Sequence, residues 1–236
     1  MIAPGCHDCN GACCRRYLVP VHGFDLHRLT RSQQLPVEAF ARFSPTDPGS
    51  RGAFRLSRDD RSFRITLAHR DGGSTCTFLL ELPGGAGRCG VYPHRPDVCA
   101  VFPMEMSAGV PVVRDDVACP PGRWEPLDSA VWAPALDRAE LEWRIYETAL
   151  ERWDGWVRRR AAGDPADPAM LLAWLADLYT RLDPIRAELG EAGLAAAAAD
   201  VGNFACGELD GPAADLIARC VWAATGLPGE DLRVPN

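Results

Sequence analysis

The sequence predicts an α+β fold in which an irregular, cysteine-rich first region with short strands precedes an α-helical region. Three observations carry that expectation. Eight of the ten cysteines lie between Cys6 and Cys119, whereas all seven tryptophans lie between Trp124 and Trp222. Short stretches with alternating apolar residues, the period of a half-buried strand, occupy the first part. In the second part apolar residues recur every three or four positions, the period of a helix that buries one face. The change of composition near residue 123 divides the 236 residues into two domains, 1–123 and 124–236.

In the first region Phe54 and Leu56 on one side, and Phe63, Ile65 and Leu67 on the other, flank the polar turn Arg58 to Arg61 as in a hairpin. "CTFLLEL" (76–82) and "VPVVRD" (110–115) read as further short strands. In the second region Leu136, Ala139, Trp143, Tyr146, Leu150, Trp153 and Val157 step by three and four, which sets an apolar stripe on one helix face. Glu140 and Arg144 pair at i,i+4 on another face. A second helix runs from about Pro168 to Leu189, and an alanine-rich third and a fourth near 212–225 follow.

Composition excludes several functions. The net charge of −7 argues against a nucleic-acid partner, because phosphate binding draws on a basic surface. Every one of the 25 basic residues is arginine, so chemistry that needs a P-loop, Schiff-base or kinase lysine is excluded. Residues Met1 to Gly5 have no basic start or apolar run, and no stretch approaches the roughly 18 apolar residues of a membrane span. A reducing, cytoplasmic setting is expected, and there clustered cysteines serve metals or redox chemistry more than disulfides.

"CHDCNGACC" (6–14) opens with a C-x2-C pair, a spacing that lets two thiolates from one tight turn reach a single ion or cluster iron. Cys13 and Cys14 follow, then Cys76, Cys89, Cys99 and Cys119, which makes eight. Adjacent cysteines point in different directions, so two neighbouring sites, or one cluster with supporting thiols, would account for the segment. Arg15, Arg16, Arg88 and Arg95 adjoin the cysteines and could offset thiolate charge. His7 and His94 could replace a thiol or donate to one. Cys206 and Cys220 read as buried thiols in the helical region.

The string C-x2-C-x3-C-C at 6–14, the cysteine that opens "CTFLLEL", and "RCGVYPHRPDVCAVFP" (88–103) together resemble the CxxCxxxCC cysteine-cluster family of zinc- or iron-chelating proteins. The match covers about residues 6–120. More distantly the chain is similar to the flagellin lysine methylase, a cysteine-rich protein linked to an iron–sulfur cluster. The resemblance implies a metal site built from Cys6, Cys9, Cys13, Cys14, Cys76, Cys89, Cys99 and Cys119. It leaves open whether the site holds an iron–sulfur cluster, [4Fe–4S] in the first instance, or zinc.

Other patterns carry less. "GAGRCG" (85–90) matches G-x-G-x-x-G but runs into "VYP" instead of a helix. "HRD" (69–71) lacks the lysine and asparagine of a kinase loop. Glu140, Glu142, Glu147 and Glu151 would suit a di-iron bundle only with Glu-x-x-His pairs, and no histidine follows His94, so they read as a solvated face. His22, His27 and His69 read as ordinary surface or strand positions.

Two functions are therefore expected from different classes. One is an iron-dependent redox or group-transfer enzyme whose cluster lies near a pocket between the halves, with Tyr92 and His94 as candidate proton carriers and Arg15, Arg16 and Arg95 as cofactor-binding cations. It would act on a small molecule or a side chain, or exchange electrons with a partner. The other is a zinc-stabilised interaction module without catalysis. Neither calls for a nucleic acid or a membrane.

Overall fold

Backbone pairing turns the alternating stretches into three antiparallel hairpins in the computed structural model, which describes residues 10–58, 61–119, 129–161, 163–202, 211–223 and 227. β1 (Ala41–Thr46) pairs with β2 (Ser62–Leu67), β3 (Leu79–Glu81) with β4 (Gly87–Cys89), and β5 (Met104–Ser107) with β6 (Val110–Val113). The ladder partner of β2 differs from the sequence expectation. Phe54 exchanges only one pair of backbone hydrogen bonds with Phe63, both 2.8 Å, while the six-residue ladder is made with β1. "CTFLLEL" contributes a strand only from Leu79, because Cys76 sits in a turn that Leu79 closes by donating its N–H to the Cys76 carbonyl at 3.1 Å.

Two-stranded sheets are marginal alone, so these hairpins depend on what they pack against. Three short helices lie among them: α1 (Ala12–Arg16), α2 (Gly23–Gln33) and α3 (Asp97–Val101). Three longer ones follow: α4 (Ser129–Arg159), α5 (Pro168–Gly202) and α6 (Pro212–Ala223). The whole α4 stripe named from the sequence is buried. α5 starts where Asp167 Oδ1 accepts the Ala169 N–H at 2.8 Å and is interrupted at Gly190, whose φ of 62° only glycine adopts readily. The anticipated second and third helices are thus two segments of one element.

The main hydrophobic core of the described residues runs through both parts of the chain. Leu26, Leu29, Phe40, Phe54, Ile65 and Cys76 belong to it together with Trp143, Tyr146, Trp153, Leu171 and Leu178. The α4 stripe therefore packs on the first region as well as on α5. Trp143 stands edge-on to the His22 ring, centroids 5.2 Å apart, and Trp153 Nε1 donates to the Arg55 carbonyl at 2.8 Å. Asp154 Oδ1 accepts the Arg55 N–H at 2.8 Å, so α4 holds both backbone groups of that residue. Fully burying each large apolar side chain here contributes about 1.5–3 kcal/mol, more for an indole. The composition boundary at 123/124 itself lies outside the described residues.

One expectation from the helical region is overturned. Glu142 is not on a solvated face: it is 1% exposed and forms a bidentate pair with Arg186, with Nη1 2.7 Å from Oε1 and Nη2 on Oε2. Its neighbours Leu141 and Ile145 are also buried, which widens the covered arc of α4 beyond the stripe. Glu140 and Glu147, by contrast, remain partly exposed and meet Arg51. No helix among the described residues is long and apolar enough to cross a membrane.

Candidate metal centre

Two glycines let the cysteine-bearing elements approach. α1 begins at Gly11 with φ 76°, and a Cβ there would lie 2.7 Å from Leu79 Cδ1. A Cβ on Gly87 would meet the Asn10 carbonyl oxygen at 2.6 Å. With hydrogen at both positions, α1 rests directly on the β3–β4 hairpin. The Cys76 N–H then donates to the Cys14 carbonyl at 2.7 Å, and the hairpin register sets Cys89 opposite Leu79. Cys99 arrives separately, at the centre of α3.

The thiols of Cys13, Cys14, Cys76, Cys89 and Cys99 lie within electrostatic reach of one another. Burial pushes the Cys76, Cys89 and Cys99 thiols up, and the neighbouring thiols add to it. The Cys13 and Cys14 sulfurs are 3.9 Å apart and share a hydrogen bond, which draws Cys13 down to about 7 and pushes Cys14 up. That separation matches the edge of a tetrahedron with zinc–sulfur bonds of about 2.3 Å, roughly 3.8 Å. Among the described residues no third thiol joins them at such spacing. Among the described residues the trio of His, Cys, Asp or Glu ligand atoms lying within 4.8 Å of one another is His22, Asp25 and Asp97. A soft donor set of five thiols from four segments fits zinc or iron.

Two arginines face this group. Arg95 lowers Cys89 and stacks its guanidinium on the Tyr92 ring at 3.9 Å; Arg70 lowers Cys76. Arg70 donates to the carbonyls of Thr77 (3.2 Å) and Leu79, which fixes it beside the turn that carries Cys76. The sequence reading missed Arg70, since it is six residues from the nearest cysteine and "HRD" drew attention only as a kinase pattern. Arg15 is paired with Glu81 at 2.6 Å, Arg16 lies 5.7 Å from the Tyr17 ring, and Arg88 donates to the Gly87 carbonyl at 3.0 Å.

Other predicted site residues are placed as follows. Tyr92 and His94 lie on the turn between β4 and α3, His94 exposed and Tyr92 partly buried under Arg95. Cys119 packs with Met106, Val113 and Trp132 on a second small cluster around Val101, Met104, Leu136 and Ala139. Cys6, His7, Cys9 and Cys206 lie outside the described residues. Cys220 is buried on α6, where desolvation pushes its thiol up to about 12, in keeping with a core thiol. A cleft of about 330 Å³ opens between β1 and the start of α5, lined by Val37, Ala41, Phe43, Ile65, Pro168 and Leu172, with no cysteine in its wall.

His22 was expected at an ordinary position and is instead fully buried. It caps α2: its Nδ1 accepts the Asp25 N–H at 3.2 Å, while Asp25 Oδ2 accepts the His22 N–H at 3.3 Å. This is the reciprocal geometry of a capping box, written H-x-x-D instead of the usual S/T-x-x-E/Q, so the standard signature does not find it. Its Nε2 lies 3.2 Å from Asp97 Oδ2 and 3.4 Å from Asp25 Oδ2. The spacing would suit a metal ion, but the tautomer does not. With Nδ1 accepting, the ring hydrogen resides on Nε2, which then faces the carboxylates as a donor and has no lone pair for a metal.

Residues 5–120 match the CxxCxxCC family model, described as a "Putative zinc- or iron-chelating domain". That segment is a domain of this family. The matched segment carries every element that brings the five described thiols together and ends just beyond Cys119. Metal binding through the cysteine cluster, with zinc or iron, follows from that domain and from the donor set. Comparison with curated proteins and with solved structures gave no match.

Proposed function

We propose that this CxxCxxCC protein holds an iron–sulfur cluster in the cysteine group and works as an iron-dependent redox or group-transfer enzyme in the cytoplasm. The observation that supports iron–sulfur over a single zinc ion is the spread of the thiols. Five cysteines interact electrostatically, yet no three of them sit at single-ion spacing among the described residues. A cluster places its own iron and sulfide between its ligands, so its cysteines stand further apart than the corners of one tetrahedron. Four ligands, drawn from the eight cysteines Cys6, Cys9, Cys13, Cys14, Cys76, Cys89, Cys99 and Cys119, would hold it, and the remaining thiols would support it or serve a neighbouring site.

When bound, such a cluster supplies one-electron transfer at a potential tuned by nearby charge, hydrogen bonds and exposure. The chain's own groups supply the surroundings. Arg95 and Arg70 offset thiolate charge, and the stacked Tyr92 holds the Arg95 guanidinium toward Cys89. His94, exposed one turn away, is the candidate to carry a proton to or from solvent. A small molecule or an electron-transfer protein is the partner this arrangement calls for.

The second reading, a structural zinc module, draws on the 3.9 Å separation of Cys13 and Cys14. Anaerobic purification with iron, zinc and acid-labile sulfide analysis separates the two. A brown protein with iron, sulfide and absorption near about 400 nm is expected. A colourless protein with stoichiometric zinc and no sulfide overturns the iron–sulfur reading in favour of the module.

A further inference from the structure

α3 carries Cys99 but is only five residues long, and isolated helices of that length do not persist. Its N-cap, Pro96, offers no side-chain acceptor. The Asp97 N–H is nevertheless satisfied, because Asp25 Oδ1 accepts it at 2.9 Å from a position 72 residues earlier, on α2. The same oxygen accepts from Arg28 Nη2 at 2.9 Å, and Arg28 Nη2 also lies 2.8 Å from the Arg95 carbonyl and 2.9 Å from Asp97 Oδ1. Asp25 is itself held fast: it is fully buried and locked into the capping box with His22. The first turn of α3 is thus capped in trans by α2.

We propose that Asp25 and Arg28 are positioning residues for the metal centre, which cap α3 from α2 and thereby fix where Cys99 presents its thiol. The inference rests on the reading of Cys99 as a metal ligand. A helix as short as α3 keeps its thiol in place only while its end is tied, and a ligand held loosely forfeits the advantage of a preorganised site. The other four described thiols have separate supports, namely the Gly11 and Gly87 contacts, the Cys76–Cys14 backbone bond and the β3–β4 register. Loss of the trans cap should therefore act through Cys99 and leave those four in place.

A double-mutant cycle on the full chain tests this, with cobalt(II) alone as the probe added to reduced, metal-free protein. Affinity is read by chelator competition, and thiolate coordination by the sulfur-to-cobalt charge-transfer band. Cys99→Ser should weaken binding and reduce the band. Asp25→Ala should weaken binding about 10- to 100-fold, the usual range for groups that orient a metal ligand, with a similar loss of band intensity. Adding Asp25→Ala to Cys99→Ser should change neither further. An equal extra loss in the Cys99→Ser background, or no loss in the parent, overturns the positioning role alone. Unchanged affinity and band in Cys99→Ser overturn the ligand reading, and the positioning role with it. If Asp25→Ala does not fold, Arg28→Gln takes its place in the same cycle, with the same outcomes deciding; the Arg28 side chain is 25% exposed, and His22 still faces the Asp25 and Asp97 carboxylates when it is gone.

Discussion

Replacing Arg186 by methionine should destabilise the protein by about 3–5 kcal/mol, the cost of leaving one partner of a buried ion pair without its counter-charge. Both oxygens of Glu142 accept from Arg186, and the Glu142 side chain is 1% exposed, so water cannot replace the lost donors. The guanidinium also lies 4.1 Å from the centroid of Phe24 on α2, so the pair joins α4, α5 and α2. Against a total stability of about 5–15 kcal/mol such a loss is large. The double variant Glu142→Met with Arg186→Met removes both charges and restores apolar contact, and it should regain most or all of the loss. Urea unfolding followed by tryptophan fluorescence, at matched metal loading, reads the midpoint and the slope. A loss below about 1 kcal/mol in Arg186→Met, or a double variant as unstable as the single, would refute the buried-pair reasoning.

Three further outcomes are expected. Gly23→Ala would bring a Cβ within 2.0 Å of Tyr179 Cε2, a fully buried ring with no room to retreat, and should cost upwards of about 2 kcal/mol in urea unfolding, whereas Gly49→Ala, with nothing within 4 Å, should be near neutral. Metal affinity should rise with pH: burial raises the Cys76, Cys89 and Cys99 thiols above 9.0, so they are protonated at neutral pH and each must release a proton on binding, steepening log K by roughly one per pH unit per thiol. Chelator competition at several pH values below 9 reads that slope, and a flat profile would show that these thiols do not ligate. Cys220→Ala should keep full metal content while losing about 1 kcal/mol of stability, and metal loss in that variant would place the ligand set elsewhere.

The helical half was legible in the sequence because a single face of a long helix repeats its signal over many turns. Leu136 to Val157 buries as its spacing requires, and the Ala-rich segment begins at Gly190, where a residue tolerant of positive φ interrupts the chain. Cysteine spacing likewise identified the metal-binding segment, since few other soft ligands are available at that density. Strand pairing was less legible. The alternation in 62–67 says that one face is buried but not which strand lies beside it, and Phe43 and Ile65 are brought opposite each other only by the ladder between β1 and β2.

The sequence by itself determined the fold class, the family and the stock of thiols, because these depend on periodicity and on residue types that are rare and close together along the chain. Tertiary structure alone decided what stands around the thiols. Asp25 caps a helix 72 residues away, Arg70 faces Cys76 across a turn, and Glu142 finds Arg186 on another helix. Each of these is an ordinary charged residue in an ordinary local pattern. Its role arises when folding withdraws water from it and leaves only a few partners within reach, and a desolvated charge with few partners is fixed by geometry that no local spacing encodes.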